Sequence, residues 1–219
     1  MAESPDSVVV HEIYRSIQGE SSLAGRPCTL VRLTGCNLRC SWCDTPHAFT
    51  GGERMSVARV VEQVQALDTP TVLLTGGEPL LQEGARPLLS ALCELGKAVM
   101  VETSGERDVG GLDPRVIRVM DLKAPGSGED ARNRWQNLEL LGERDQIKVV
   151  LLDRTDYEWV REVIARERLS ERVGEVLLSC VHGELDPQQL VAWVLEDNLD
   201  VRVNLQLHKL IWHPDKRGV

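Results

Sequence analysis

Apolar, β-branched runs recur along the chain and alternate with stretches whose apolar positions keep a helical period. The runs predict strands over residues 28–33, 71–75, 98–102, 116–122, 146–152, 175–179 and 201–206, after an extended segment over 8–15. Between them, Ser56 can cap a helix whose apolar positions Val57, Val60, Val61, Val64 and Leu67 repeat every 3.6 residues. Thr155 is expected to cap a second helix, with Tyr157, Val160 and Ile164 facing inward. Asp186 followed by Pro187 starts a third, for which Leu190, Val191, Val194 and Leu195 form the expected buried stripe. Strand followed by helix, repeated several times, means parallel βαβ units with right-handed crossovers, so the class is α/β.

Polar and Gly-rich clusters fall just after the predicted strands: residues 34–43, 75–79, 102–105, 121–128, 179–184 and 206–213. In parallel α/β sheets and barrels these C-terminal edges converge on one ligand site. No internal repeat, low-complexity tract or linker divides the 219 residues, which fit one domain over 1–219. With 42% hydrophobic and 27% charged residues, composition excludes disorder and collagen. The 34 acidic against 25 basic side chains, a net charge of −9 with no block of Lys and Arg, disfavour a nucleic-acid partner. No apolar run approaches the roughly 20 residues of a membrane span, and the acidic N-terminus is unlike a signal peptide. A cytoplasmic protein is expected.

Six cysteines change the picture. Cys28, Cys93 and Cys180 are scattered, but Cys36, Cys40 and Cys43 crowd into eight residues. A clustered trio without an export signal points to metal or cofactor ligation rather than disulfides. A structural zinc site closes with four protein ligands, whereas three thiolates on a four-iron, four-sulfur cluster leave one iron open. The zinc alternative needs Cys28 or His47 as the fourth ligand.

Cys36-x3-Cys40-x2-Cys43 after a strand resembles the radical S-adenosylmethionine (SAM) superfamily, in which the open iron chelates SAM and the reduced cluster cleaves it to a 5′-deoxyadenosyl radical. Thr75-Gly76-Gly77-Glu78-Pro79 is similar to that superfamily's Gly-Gly-Glu-Pro element, where glycines let the backbone approach the methionine moiety. Glu102-Thr103-Ser104-Gly105 resembles a SAM-contacting segment, an ordinary polar turn being the alternative. Asp121-Leu122-Lys123 is similarly placed; Lys123 is either a point charge for a ribose hydroxyl or carboxylate, or a solvated surface lysine.

Glu12–Glu20, Gly25-Arg26-Pro27, residues 31–37, Asp44-Thr45 and Asn204–Lys209 together resemble the 7-carboxy-7-deazaguanine synthase family across nearly the whole chain. The resemblance implies a modified, incomplete (β/α)6 barrel, a homodimer, and conversion of 6-carboxy-5,6,7,8-tetrahydropterin to 7-carboxy-7-deazaguanine with loss of ammonia, on the route to queuosine and other deazapurines. It implies a 4Fe-4S cluster on Cys36, Cys40 and Cys43, SAM, Mg2+, and an external electron donor such as a flavodoxin or ferredoxin. Carried over by residue, Ile17, Gln18, Gly19, Arg32, Thr75 and Pro214 match substrate contacts, and the Arg32 fork suits a carboxylate. Trp42, Cys43, Asp44, Gly77, Glu102, Ser104, Asp121, Leu122, Lys123, Ser179, Cys180, Val181 and His182 match SAM contacts, with proline expected where Cys180 stands. Thr45 matches the Mg2+ ligand, or it shapes a turn before Pro46. Two other readings compete: a glycyl-radical-enzyme activase, and a non-catalytic metal-binding module.

Overall fold

The computed structural model describes residues 5–213 and 216–219; Pro214 lies outside them. Among the described residues nine strands, β1 (Ser7–Ile17), β2 (Pro27–Leu33), β3 (Glu53–Ser56), β4 (Thr71–Gly76), β5 (Ala98–Thr103), β6 (Ile117–Asp121), β7 (Gln146–Leu151), β8 (Glu175–Cys180) and β9 (Arg202–Val203), form one sheet in the order β3-β1-β2-β4-β5-β6-β7-β8-β9. From β2 through β9 every pairing is parallel, while β1 is antiparallel to both β2 and β3. The sheet is not closed: β3 and β9 are its two edges. No helix among the described residues is long and apolar enough to cross a membrane.

The helices are α1 (Val57–Leu67), α2 (Ala85–Cys93), α3 (Arg154–Glu167), α4 (Leu169–Arg172), α5 (Pro187–Glu196) and α6 (Leu207–Ile211). Ser56 caps α1 as expected, accepting from the Arg59 backbone N–H at 3.2 Å, and Val60 and Val64 are its fully buried positions. Alternation along the strands sorts the core in two. Val31, Leu33, Val72, Leu74, Val99, Val101, Ile147, Val149 and Leu178 face the helices in the larger core. The opposite parity builds a second cluster of Cys28, Leu30, Leu73, Met100, Val119 and Leu177 on the concave face. That cluster is an apolar floor, and the next inward positions toward the strand ends are polar: Arg32, Thr75, Glu102, Asp121, Lys148 and Ser179.

The loop after β1 crosses the open side. Gln18 and Arg26 close its neck, the Gln18 N–H donating to the Arg26 carbonyl at 2.8 Å, and Leu23 packs onto the floor. The Ser22 N–H reaches Gln146 Oε1 on β7 at 3.0 Å, and the Ser21 N–H reaches Asn204 Oδ1 beyond β9 at 3.0 Å.

Four expectations need correction. The last strand is two residues long rather than 201–206, because Asn204 turns its amide to Ser21 and to Ser179 Oγ (2.9 Å) and the chain leaves the sheet for α6. Asp153, not Thr155, caps α3, accepting from the Asp156 N–H at 3.1 Å, although Tyr157, Val160 and Ile164 do face inward. On α5, Asp186 caps and Leu190 and Val194 are buried, but Val191 and Leu195 are exposed, since the short β9 covers only a narrow stripe. The links from β5 to β6 and from β6 to β7 carry no α-helix; the second is built from 3-10 turns such as Pro125–Ser127 and Trp135–Leu140.

Candidate active site at the strand ends

The cysteine loop leaves β2 and is pinned from three directions. The Gly35 N–H donates to the Ala48 carbonyl (2.8 Å), and the Gly35 carbonyl accepts from the Glu78 N–H (2.8 Å). Farther along, the Ser41 N–H donates to the Ser127 carbonyl (3.1 Å) and its hydroxyl to the Gly126 carbonyl (2.9 Å). Arg39 closes the loop on itself, its Nη1 donating to the Cys36 and Leu38 carbonyls at 2.9 and 2.6 Å.

Cys36, Cys40 and Cys43 are free and half-buried. Burial pushes the thiols of Cys36 and Cys40 up from their ordinary value; each also feels Cys43, and the Lys123 ammonium pulls both down. Among the described residues the trio is not drawn together as the ligands of one ion. A cubane holds its thiolates on separate irons, so three half-buried thiols on one short loop, with the Lys123 ammonium near enough to act on Cys36 and Cys40, fit a 4Fe-4S cluster. The proposed fourth zinc ligands do not join them. Cys28 is sealed in the floor, its thiol pushed up to about 11 by burial, and His47 packs tilted against His11 with ring centroids 5.3 Å apart.

Gly76 and Gly77 are glycines for a reason the motif alone does not give. A Cβ on Gly76 would lie 2.4 Å from the Leu33 carbonyl oxygen, and one on Gly77 would lie 2.4 Å from the Gly35 oxygen and 2.5 Å from Cys36 Cβ. Gly76 is held against the end of β2, and Gly77 against the cysteine loop. Next to them Glu78, fully buried, accepts from the Leu80 N–H (2.9 Å), the Thr103 hydroxyl (2.9 Å), and the Ser104 N–H and hydroxyl (both 2.6 Å). One carboxylate thus locks the loop after β4 to the loop after β5. A buried charge is tolerable only with such a full set of donors.

Around the lumen the polar layer is tied by ion pairs and a hydrogen bond. Arg32 Nε donates to Glu12 Oε1 at 2.7 Å. The Thr75 hydroxyl donates to Glu102 Oε2 at 3.4 Å. Burial pushes the Glu102 carboxyl up to about 7, against the opposing pull of Lys148 and with Glu20 and Asp121 reinforcing it. Asp121 holds Lys123 at 2.7 Å, and Lys148 sits between Glu20 (2.8 Å) and Asp121 (3.5 Å). Burial would raise Asp121, but the two ammonium groups outweigh it and hold the carboxyl below the usual range. The segment after β9 lies across this mouth: Gln206 Nε2 donates to Glu20 (2.7 Å), Lys209 pairs with Asp44 (2.9 Å), and the Leu207 N–H donates to the Gly19 carbonyl (2.9 Å).

Comparison with known proteins bears on this arrangement. Residues 30–122 match the radical SAM superfamily. A 7-carboxy-7-deazaguanine synthase from Koribacter versatilis (strain Ellin345) is 45% identical over 224 residues, covering 96% of this chain and 99% of the relative. Its counterpart from Chlorobaculum tepidum is 45% identical over 213 residues, with 96% of each chain covered. The chain belongs to the 7-carboxy-7-deazaguanine synthase family. The crystal structure of QueE from Escherichia coli superposes with a TM-score of 0.75 at 23% identity, covering 91% of this chain and 94% of that one, so the fold is shared. The incomplete radical SAM barrel expected from the sequence is the fold found, and the 4Fe-4S cluster and SAM are the cofactors of this superfamily.

Within this 7-carboxy-7-deazaguanine synthase family member, most of the sequence-assigned positions gather at the strand ends. Ile17 closes β1, and Gln18 is buried with its Nε2 3.5 Å from Met100 Sδ. Gly19 lies under His208, whose Nδ1 would be 2.5 Å from an added Cβ. Trp42, Asp44 and Thr45 follow in the cysteine loop, with the Thr45 hydroxyl 4.0 Å from Cys43 Sγ. Lys123 is not a free point charge, since Asp121 holds its ammonium. Ser104 and Ser179 turn their hydroxyls to Glu78 and Asn204. Leu122 and Cys180 send their side chains into the helix-side core, which leaves their backbones at the strand ends; Val181 is buried and His182 is exposed.

Five residues of the site had no assignment: Glu12, Glu20, Glu78, Lys148 and Gln206. The detectable signal was parity. Lys148 interrupts the apolar run of β7 two positions after the inward Gln146, and Glu12 stands two before Tyr14 on the floor side.

Proposed function

We propose that this protein is a 7-carboxy-7-deazaguanine synthase that converts 6-carboxy-5,6,7,8-tetrahydropterin to 7-carboxy-7-deazaguanine with release of ammonia, in queuosine and deazapurine biosynthesis. The observation that carries the reading is the rim itself, where one arginine and a set of carboxylates stand above an apolar floor, directly beside the cysteine loop. Cys36, Cys40 and Cys43 would hold the cluster and the strand-end loops SAM, which together would supply one-electron hydrogen abstraction. The chain's own residues do the rest. Arg32 takes the substrate carboxylate, and Thr75, Gln18 and the Gly19 backbone border the ring. Glu20 and Glu102 offer acceptors to a pterin rich in N–H donors. The Glu102 carboxyl, pushed up to about 7 by burial, can hold or release a proton near neutral pH, as departure of a nitrogen requires.

The Thr45 hydroxyl, 4.0 Å from Cys43 Sγ, would hold Mg2+, a hard cation suited to oxygen ligands that would supply charge stabilisation to a bound carboxylate. The rest of the reading is a homodimer in the cytoplasm reduced by a flavodoxin or ferredoxin. The segment 204–209 lying across the mouth favours a small molecule over the protein glycine of an activase.

Anaerobic incubation with dithionite, SAM, Mg2+ and the carboxypterin, followed by mass spectrometry, should yield 7-carboxy-7-deazaguanine and ammonia. SAM cleavage without that product would overturn the reading. Thr45→Val should lose the Mg2+ response with normal iron content.

A further inference from the structure

The hairpin of β1 and β2 is irregular at one point. Val10 pairs with Leu33, but Glu12 pairs with Arg32, so His11 is an extra residue on β1. Had the register of Val10 continued, His11 would stand opposite Arg32 and Glu12 opposite Val31. A bulge inserts one residue, re-aims the side chains that follow, and is found next to active sites. Here it brings Glu12 and Tyr14 to the floor side, beside Arg32. At the bulge, His11 Nδ1 is buried with no hydrogen-bond partner among the described residues.

What the shift achieves is a grip on one edge of the guanidinium. Glu12 Oε1 accepts from Arg32 Nε at 2.7 Å, with both side chains mostly buried, and Tyr14 interacts electrostatically with the same guanidinium. An arginine can meet a carboxylate side-on through Nε and one terminal nitrogen, or end-on through both terminal nitrogens. With Nε occupied, the end-on fork is the bidentate face left.

We propose that Glu12 is a positioning residue for substrate capture: set in place by the bulge at His11, it holds Arg32 by Nε so that the terminal fork faces the lumen and selects a ligand bearing a carboxylate. This rests on the reading that Arg32 binds the substrate carboxylate. Charge alone would give the opposite sign. Glu12 is an anion near an anion site, so its removal, if it acted only through its charge, would tighten carboxylate binding.

The test uses cluster-loaded enzyme with SAM, and compares 6-carboxytetrahydropterin with tetrahydropterin lacking the carboxyl. Glu12→Ala should raise KM for the carboxypterin about tenfold, with the effect in KM rather than kcat, and leave affinity for the carboxyl-free pterin as in the parent. Glu12→Gln, which keeps an acceptor oxygen, should recover most of the loss. If Glu12→Ala fails to load iron, Glu12→Asp decides, because its shortened side chain withdraws the oxygen and should raise KM by an intermediate factor. A KM unchanged or lowered in the deciding variant, or equal losses for both pterins, overturns the proposal. Arg32→Lys separates the two claims. If it too leaves carboxypterin binding unchanged, the role of Arg32 has failed; if it weakens binding while the Glu12 variants do not, only the positioning role has.

Discussion

Gly77→Ala adds one methyl group where the turn after β4 meets the cysteine loop. That carbon would stand 2.4 Å from the Gly35 carbonyl oxygen and 2.5 Å from Cys36 Cβ. Non-bonded carbon atoms settle about 3.5–4.0 Å apart, so the turn and the cysteine loop must separate by about 1 Å. Neither neighbour is a flexible end: one is a backbone carbonyl already accepting from the Glu78 N–H at 2.8 Å, and the other carries a cluster ligand. Gly77 does not have a positive φ, so alanine is conformationally allowed there and the whole effect is steric. Overpacking of this kind costs about 1–3 kcal/mol, and a strained hydrogen bond adds roughly 1 more. The functional consequence should exceed the loss of stability, because a 1 Å shift of Cys36 relative to Cys40 and Cys43 misplaces one corner of the cubane. Iron content and visible absorbance after anaerobic reconstitution, with the urea midpoint of the cluster-free protein, are the measurements. Gly142→Ala is the control, since a Cβ there meets nothing within 4 Å. A Gly77→Ala protein with full iron and the parental midpoint would refute the reasoning.

Glu78→Ala strips the acceptor from four donors, two of them backbone N–H groups in a buried turn, and should destabilise the protein by on the order of 3 kcal/mol in chemical denaturation, whereas a surface carboxylate such as Glu62 should be replaceable without effect. Glu102 has a folded pKa of about 7, above its ordinary value near 4.5, so the native state binds the extra proton between those values and stability falls as pH rises through that window. Glu102→Gln should therefore melt higher than the parent at pH 8.5, with the gap closing toward pH 5. A gap that widens toward acid would contradict the assignment.

Spacing and parity carried much of the molecule. Three cysteines at intervals of four and three, placed just after an apolar strand, are local facts, and a loop that short must bring its thiols near one another whatever surrounds it. Seven of the eight extended segments formed at nearly the expected limits, because β-branched alternation is satisfied within each strand. The helix over Val57–Leu67 followed from its cap and its period for the same reason.

What depended on distant partners stayed hidden. Lys148 reads as an interruption in an apolar run until β7 lies beside β6 and the loop after β1 brings Glu20, 128 positions away, to within 2.8 Å. The stripe on α5 overreached because its width is set by how much sheet lies beneath it, and the last strand ended early because Asn204 found better partners at Ser21 and Ser179. The identity of Gly77 was visible, but its reason was not, since it depends on how closely two turns from different βα units approach. Local chemistry and periodicity are written in neighbouring residues, so the sequence by itself determined the strands, the cysteine loop and the polar ends that face a common site. The charge state and aim of each side chain in that site are long-range electrostatic and steric quantities, and only the packing of β1, β7 and the segment after β9 around one lumen decided them.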